Sequence, residues 1–507
     1  MLFTPESGLT LPSPSFRLPT QQGGEVATPP TIELPLTGEG SEFTIQDGTS
    51  QLQRTVLPGG TRVLTECLPG AQSVTIGMWV AAGSRDEREG EHGATHFLEH
   101  LLFKGTPTRS AEQIAAALDA VGGDLNAATG KEYTAYHARV LGVDLPLAIE
   151  VLGDMVTSSL LEREEFARER EVILDELAMA ADDPTDVVHE EFCAAAQHGG
   201  ELARPVGGTA ETVKVIAWES VREHYERVYH APELVVVAAG AVNHAQVVEL
   251  VERALRRGGW TGQRDAAGAS AASGAPRGAG GAASAVGGEG GLAGAVTPRG
   301  RRARGVAPTL TASQMRAVAR PVEQAHLVVG SRSYAAGSAQ RWPMSVFLSV
   351  LGGGMSSRIF QEVREKRGWA YSTYSFDSRF SDSGHFGLYA GCAPARVHDV
   401  TAVLLEQWHA LATDGPTAEE LARARGQLRG SLVLGLEDTG ARMFRLGHAE
   451  IVYGYLTPVE RMVERLEAVT VDDVAAVAAS LWTAPRAYAL VGPQGAEGGL
   501  AELVTRS

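Results

Sequence analysis

The chain has 507 residues, 44% of them apolar, which is more than one domain's worth and ample for sizeable cores. Its net charge of −17 makes nucleic acid a poor partner, whereas basic peptides would be tolerated or attracted. Three cysteines spread far apart argue against a disulfide framework and suit a cytoplasmic setting, no apolar run is long enough to span a membrane, and no secretory signal opens the chain.

Residues 1–47 are rich in Pro, Thr, Ser and Gly without periodicity and are expected to form a disordered tail. A strand-like run, Val74 to Ala82, then leads into Gly83-Ser84-Arg85. The most informative segment follows: His96-Phe97-Leu98-Glu99-His100. Two histidines four apart lie about 40° from each other around a helix axis, with Glu99 on the same side. Such a pair offers two neutral nitrogen donors for a divalent ion, and Glu99 is placed to act as general base. Gly93 is poor inside a helix but acceptable where one begins, so the helix is expected to start near Ala94, leaving His92 on the approach loop. Gly122 to Thr129 is followed by an alternating run, Tyr133 to Val140. Residues 161–181 read as a charged helix that ends before Asp182-Asp183-Pro184. Glu169 and Glu176 on it are seven apart, two turns, and share a face.

Residues 261–308 are dominated by Gly and Ala and read as a flexible linker. Two ordered blocks remain, 48–260 and 309–507, and they look related. Gly330-Ser331-Arg332 follows Ala325 to Val329 as Gly83-Ser84-Arg85 follows its own strand, at an offset of 247. Carried forward, that offset sets Pro343, Val346 and Phe347 against His96, Glu99 and His100. Glu164 to Arg168 similarly matches Glu419 to Arg423, which sets Ser431 against Glu176. One block keeps every candidate metal ligand and its twin keeps none, the pattern of an internal duplication. The second block also carries Gly352-Gly353-Gly354-Met355-Ser356-Ser357-Arg358, a helix-like Ile359 to Lys366, and Gly368-Trp369-Ala370-Tyr371. The triple glycine lacks the Lys-Ser/Thr of a phosphate loop.

The order H-x-x-E-H is the inverzincin signature. With the acidic helix and the duplication, the chain resembles the pitrilysin family of zinc metallopeptidases, close to bacterial relatives of the mitochondrial processing peptidase β subunit. The resemblance implies an α+β fold of two homologous sandwich-like domains closing as a clam shell: a catalytic zinc domain (48–260) and an inactive pseudo-repeat (309–507) completing the chamber. It implies that His96, His100 and Glu176 hold Zn2+, leaving a coordination position for water, and that Glu169 supports the site without ligating. It further implies that Arg364 and Tyr371 reach toward the scissile carbonyl, and that Asn126 and Ala127 lie on a sheet edge that pairs with an extended peptide. From the residues alone, Asn126 could instead cap its own backbone, and Arg364 could pair with a nearby Glu. The implied activity is a zinc endopeptidase or oligopeptidase acting on peptides or unfolded protein, in a homodimer or a heterodimer with a related chain. A non-catalytic partner subunit is the alternative within that family. A different chemistry on the same motif would need Cys193 as third ligand.

Overall fold

A computed structural model describes residues 31–37, 40–260 and 310–505. The expected linker 261–308 and the first thirty residues lie outside the described residues. The first half begins with β1 (Ile32–Glu33), which lies outside its sheet, then β2 (Phe43–Asp47), β3 (Ser50–Val56), β4 (Arg62–Cys67) and β5 (Ser73–Val80). Next come α1 (Ala94–Leu102), α2 (Ala111–Asp119), β6 (Asp124–Thr129), β7 (Thr134–Leu141), α3 (Leu145–Ser158), α4 (Arg163–Asp182) and α5 (Pro184–Ala196). The half closes with α6 (Ala210–Val215), α7 (Trp218–Val228), β8 (Leu234–Gly240) and α8 (His244–Arg257). The strand order is β2-β3-β4-β8-β5-β7-β6, antiparallel except for β4 beside β8. β6 therefore forms a free edge.

The second half repeats the plan: β9 (Gln314–Ala319), β10 (Ala325–Ser333), α9 (Arg341–Gly352), β11 (Ala370–Arg379), β12 (Gly384–Cys392), α10 (Val397–Asp414), α11 (Ala418–Gly435) and α12 (Thr439–His448). It ends with β13 (Tyr455–Leu456), α13 (Val459–Ala468), α14 (Val471–Trp482), β14 (Arg486–Gly492) and α15 (Leu500–Thr505). Its sheet runs β11-β12-β10-β14-β9, again with one parallel pair, β9 beside β14. α1 and α9 begin 247 residues apart, the offset read from the sequence. In α9, Val346 and Phe347 are fully buried in the apolar core where α1 carries Glu99 and His100. The expected helix after Arg358 is present, wound as a π-helix over Phe360–Glu365.

Both sheets are buried on two faces, which explains why β5 and β8 are apolar almost throughout. One face of each sheet carries its own helices. The other is covered by a helix lent by the opposite half. Val188, Phe192, Ala195 and Ala196 of α5 pack on Val328, Tyr389, Ala487, Ala489 and Val491 of the second sheet. In return Met443 and Leu446 of α12 pack on Leu52, Leu64, Trp79 and Val237 of the first. A Cβ at Gly447 would stand 2.5 Å from the Trp79 ring, so only glycine lets α12 sit that close. Ion pairs join the halves as well: Arg54 to Glu450 at 2.9 Å, fully buried with both side chains 0% exposed, and Arg85 to Asp382 at 2.8 Å, partly buried.

The tail expected over 1–47 needs correcting. From residue 31 the described chain is ordered: Ile32–Glu33 pairs with Leu456–Tyr455, Leu34 is buried, and Phe43–Asp47 pairs with β3. These strands are two and five residues long, too short for a periodic signal, and β1 gains its order from a partner some 420 residues away.

Candidate metal centre

α1 starts at Gly93, whose φ of 98° suits glycine. The buried Glu87 carboxylate accepts from the backbone N–H groups of Gly93 (3.0 Å) and Thr95 (2.8 Å), satisfying donors a helix start leaves free. Phe97, Leu98, Leu101 and Leu102 turn into the core. That fixes the rotation of α1 and leaves His96, Glu99 and His100 on the other side. α4 is anchored by Phe166, Glu169 and Ile173, a buried row at helical spacing, which carries Glu176 over the two histidines.

The Glu176 carboxylate lies 3.3 Å from His100 Nε2 and 3.7 Å from His96 Nε2. One donor atom from each of the three residues falls within 4.8 Å of the others, the sole such group of His, Cys, Asp and Glu found among the described residues. Two imidazoles and a carboxylate suit zinc, and three protein ligands leave a position open. Burial, then the neighbouring His100, hold His96 below its usual pKa, which keeps its imidazole in the neutral, donor form. Glu176 is 46% exposed on its side chain, and among the described residues no Lys or Arg forms an ion pair with it. A cation between the three residues fits this donor set.

The supporting contacts differ for the two histidines. His100 Nδ1 donates to Glu169 Oε2 at 3.0 Å, and Lys104 Nζ reaches Glu169 Oε1 at 2.7 Å. His96 Nδ1 is buried and has no hydrogen-bond partner among the described residues. Its ring stands edge-on to that of His100, centroids 4.8 Å apart, and near Gly207, where a Cβ would come 3.4 Å from Nδ1. Thr129 donates its hydroxyl to Glu99 Oε2. Lys104, Thr129 and Gly207 were not legible as site residues in the sequence. Only Lys104, four residues past His100, carried a spacing that could have flagged it.

His92 stays on the loop, its Nε2 accepting from Arg204 Nη1 at 3.2 Å. Cys193 donates its thiol to the Leu202 carbonyl from within α5 and takes no part in the cluster, which removes the cysteine-ligand alternative. Asn126 and Ala127 lie on β6, the free edge, three and two residues ahead of Thr129. There Asn126 Oδ1 accepts from the Ala127 N–H at 2.8 Å, the self-capping that the residue type permits. Arg364 and Tyr371 meet one another, the guanidinium 4.8 Å from the ring centroid, at the edge strand β11 of the second sheet. Tyr371 falls at a bulge between Ala370 and Ser372 and is 75% exposed. Among the described residues neither side chain hydrogen-bonds or ion-pairs with His96, Glu99, His100 or Glu176.

Residues 62–210 match the family described as Insulinase (Peptidase family M16), and residues 216–428 match the Peptidase M16 inactive domain. The chain belongs to peptidase family M16. It is 46% identical over 448 residues to an uncharacterized zinc protease of Streptomyces coelicolor, covering 88% of this chain and 91% of that one. It is 33% identical to the uncharacterized zinc protease YmxG of Bacillus subtilis, covering 88% and 99%. A protease from Helicobacter pylori shares the fold at 18% identity, with a TM-score of 0.73 over 88% of this chain and 100% of that one. Zinc is the cofactor of the M16 family. The inactive-domain match takes in Pro343, Val346 and Phe347, the apolar counterparts of the histidine motif.

Proposed function

We propose that this M16 member is a zinc endopeptidase or oligopeptidase in which His96, His100 and Glu176 hold the metal. The convergence of those three donors within 4.8 Å, with Glu99 between the histidines on one helix, carries the reading. A zinc ion held there would supply Lewis acidity, polarising a peptide carbonyl and easing deprotonation of an attacking water. Glu99 takes that proton and hands it to the departing amine. The Thr129 hydroxyl occupies Glu99 Oε2, which orients the carboxylate and leaves Oε1 to act.

An extended peptide adds to the β6 edge as a further strand, giving affinity with little sequence preference. To pair there it displaces the Asn126 side chain from the Ala127 N–H. Tyr371 donates to the oxyanion and Arg364 holds substrate carbonyls. The 309–507 half completes the chamber, and the assembly is a homodimer or a heterodimer with a related chain, as the family resemblance implies. The unpaired state of Cys67, Cys193 and Cys392 supports a cytoplasmic setting. No helix among the described residues is long and apolar enough to cross a membrane.

Metal analysis combined with cleavage of a mixed peptide library, read by mass spectrometry, tests this. The wild type should bind one zinc per chain and cut internal bonds. E176A should lose the metal and the activity together. E99Q should keep the zinc and lose about 10²–10⁴ in turnover. Substantial activity in E99Q, or full zinc content in E176A, would overturn the assignment.

A further inference from the structure

The two imidazoles are fixed by unlike means, and the difference points to a residue with no assigned role. We infer that Lys104 is a positioning residue of the metal centre, acting through Glu169 on His100. The inference rests on the ligand set proposed above. Glu169 is buried in the inner row of α4, between Phe166 and Ile173, so its carboxylate cannot rely on water. Each oxygen has one donor: His100 Nδ1 on Oε2 and Lys104 Nζ on Oε1. A carboxylate pinned at both oxygens has one rotation about its terminal bond, and that rotation presents Oε2 to the imidazole. Without Lys104, Oε1 would be left buried with no donor, and the carboxylate could turn away from His100 to find one.

Lys104 is itself held in place. Its backbone N–H donates to the Leu101 carbonyl at 3.0 Å, just past the end of α1, where a cation is also favoured by the helix dipole. One short segment thus supplies both the ligand His100 and the cation that locks the ligand's partner. His96 has no comparable support, since its buried Nδ1 has no partner among the described residues. The orientation of the histidine pair therefore depends on the His100 side, and the Lys104–Glu169 contact is what holds that side.

The test is zinc affinity, measured by chelator competition on the full chain, with thermal unfolding of the metal-free protein as a separate reading of folding. K104M keeps the length of the side chain and loses the donor. Its zinc dissociation constant should rise about tenfold, the lower end of what loss of a ligand's hydrogen-bond support costs. K104R, which keeps charge and donors, should recover most of that loss. In an E169Q background K104M should add little, because both act along one route. Unchanged affinity in K104M, equal loss in K104M and K104R, or a full tenfold loss in the E169Q background would each overturn the inference. K104Q carries the same comparison if K104M folds poorly. H100A separates this from the ligand assignment: if H100A bound zinc as tightly as wild type, the ligand set would be wrong. If H100A lost zinc while K104M did not, only the role of Lys104 would fall.

Discussion

His385 should make this protein acid-labile at the seam between its halves. The residue lies buried on β12, against Phe192 of α5, with Nδ1 3.2 Å from Gln197 Nε2. Burial first, and then the positive charges of Lys131, His189 and Arg332, push its pKa down from 6.5 to about 3. The folded protein therefore keeps the ring neutral through the mildly acid range, while the unfolded chain takes up a proton near its ordinary value. Between those values the unfolded state binds more protons, so stability is present above about pH 6.5 and is lost as pH falls toward 3. From pH 7 to pH 5 the contribution amounts to about 2 kcal/mol, at 1.4 kcal/mol per unit. H385Q stays neutral throughout and can still bond Gln197. Urea unfolding at the two pH values, followed by tryptophan fluorescence, gives the comparison: wild type should lose about 2 kcal/mol more than H385Q on acidification. Parallel loss in the two proteins would show that His385 is not held neutral at that seam.

Three further outcomes follow from the geometry. Y371F should lower kcat more than it changes KM, since the phenol is proposed to act on charge that develops only during reaction; steady-state kinetics showing the reverse would make Tyr371 a binding residue. T129V removes the hydroxyl that holds Glu99 Oε2, so turnover should fall while zinc content, read by atomic absorption, stays at the wild-type level. F192A opens a cavity where α5 meets the second sheet and should cost about 3–5 kcal/mol in chemical denaturation, as for other buried Phe truncations. A cost near zero would mean the lent helix contributes little to holding the halves together.

The histidine-bearing side of α1 could be read directly from the residues because the signal is local. Five consecutive positions, one glycine at the helix start and a 3.6-residue period place His96, Glu99 and His100 on one side without reference to anything distant. The duplication was legible for a similar reason: α1 and α9 keep an offset that leaves Val346 and Phe347 where a core needs apolar side chains. Glu176 was different. Spacing along α4 put it on a face with Glu169, but only the packing of Phe166 and Ile173 brings that face over the histidines.

The exchange of α5 and α12 between halves had no local signature, since an apolar stripe does not state which sheet it will cover. The same holds for β1, two residues that become a strand only because β13 lies beside them. Helix period, capping and metal-donor chemistry act over a few residues, so the chain alone specifies them. Which faces meet, which carboxylate receives Lys104 and where Thr129 finds Glu99 depend on contacts between segments distant in sequence, and these exist only once the cores have closed.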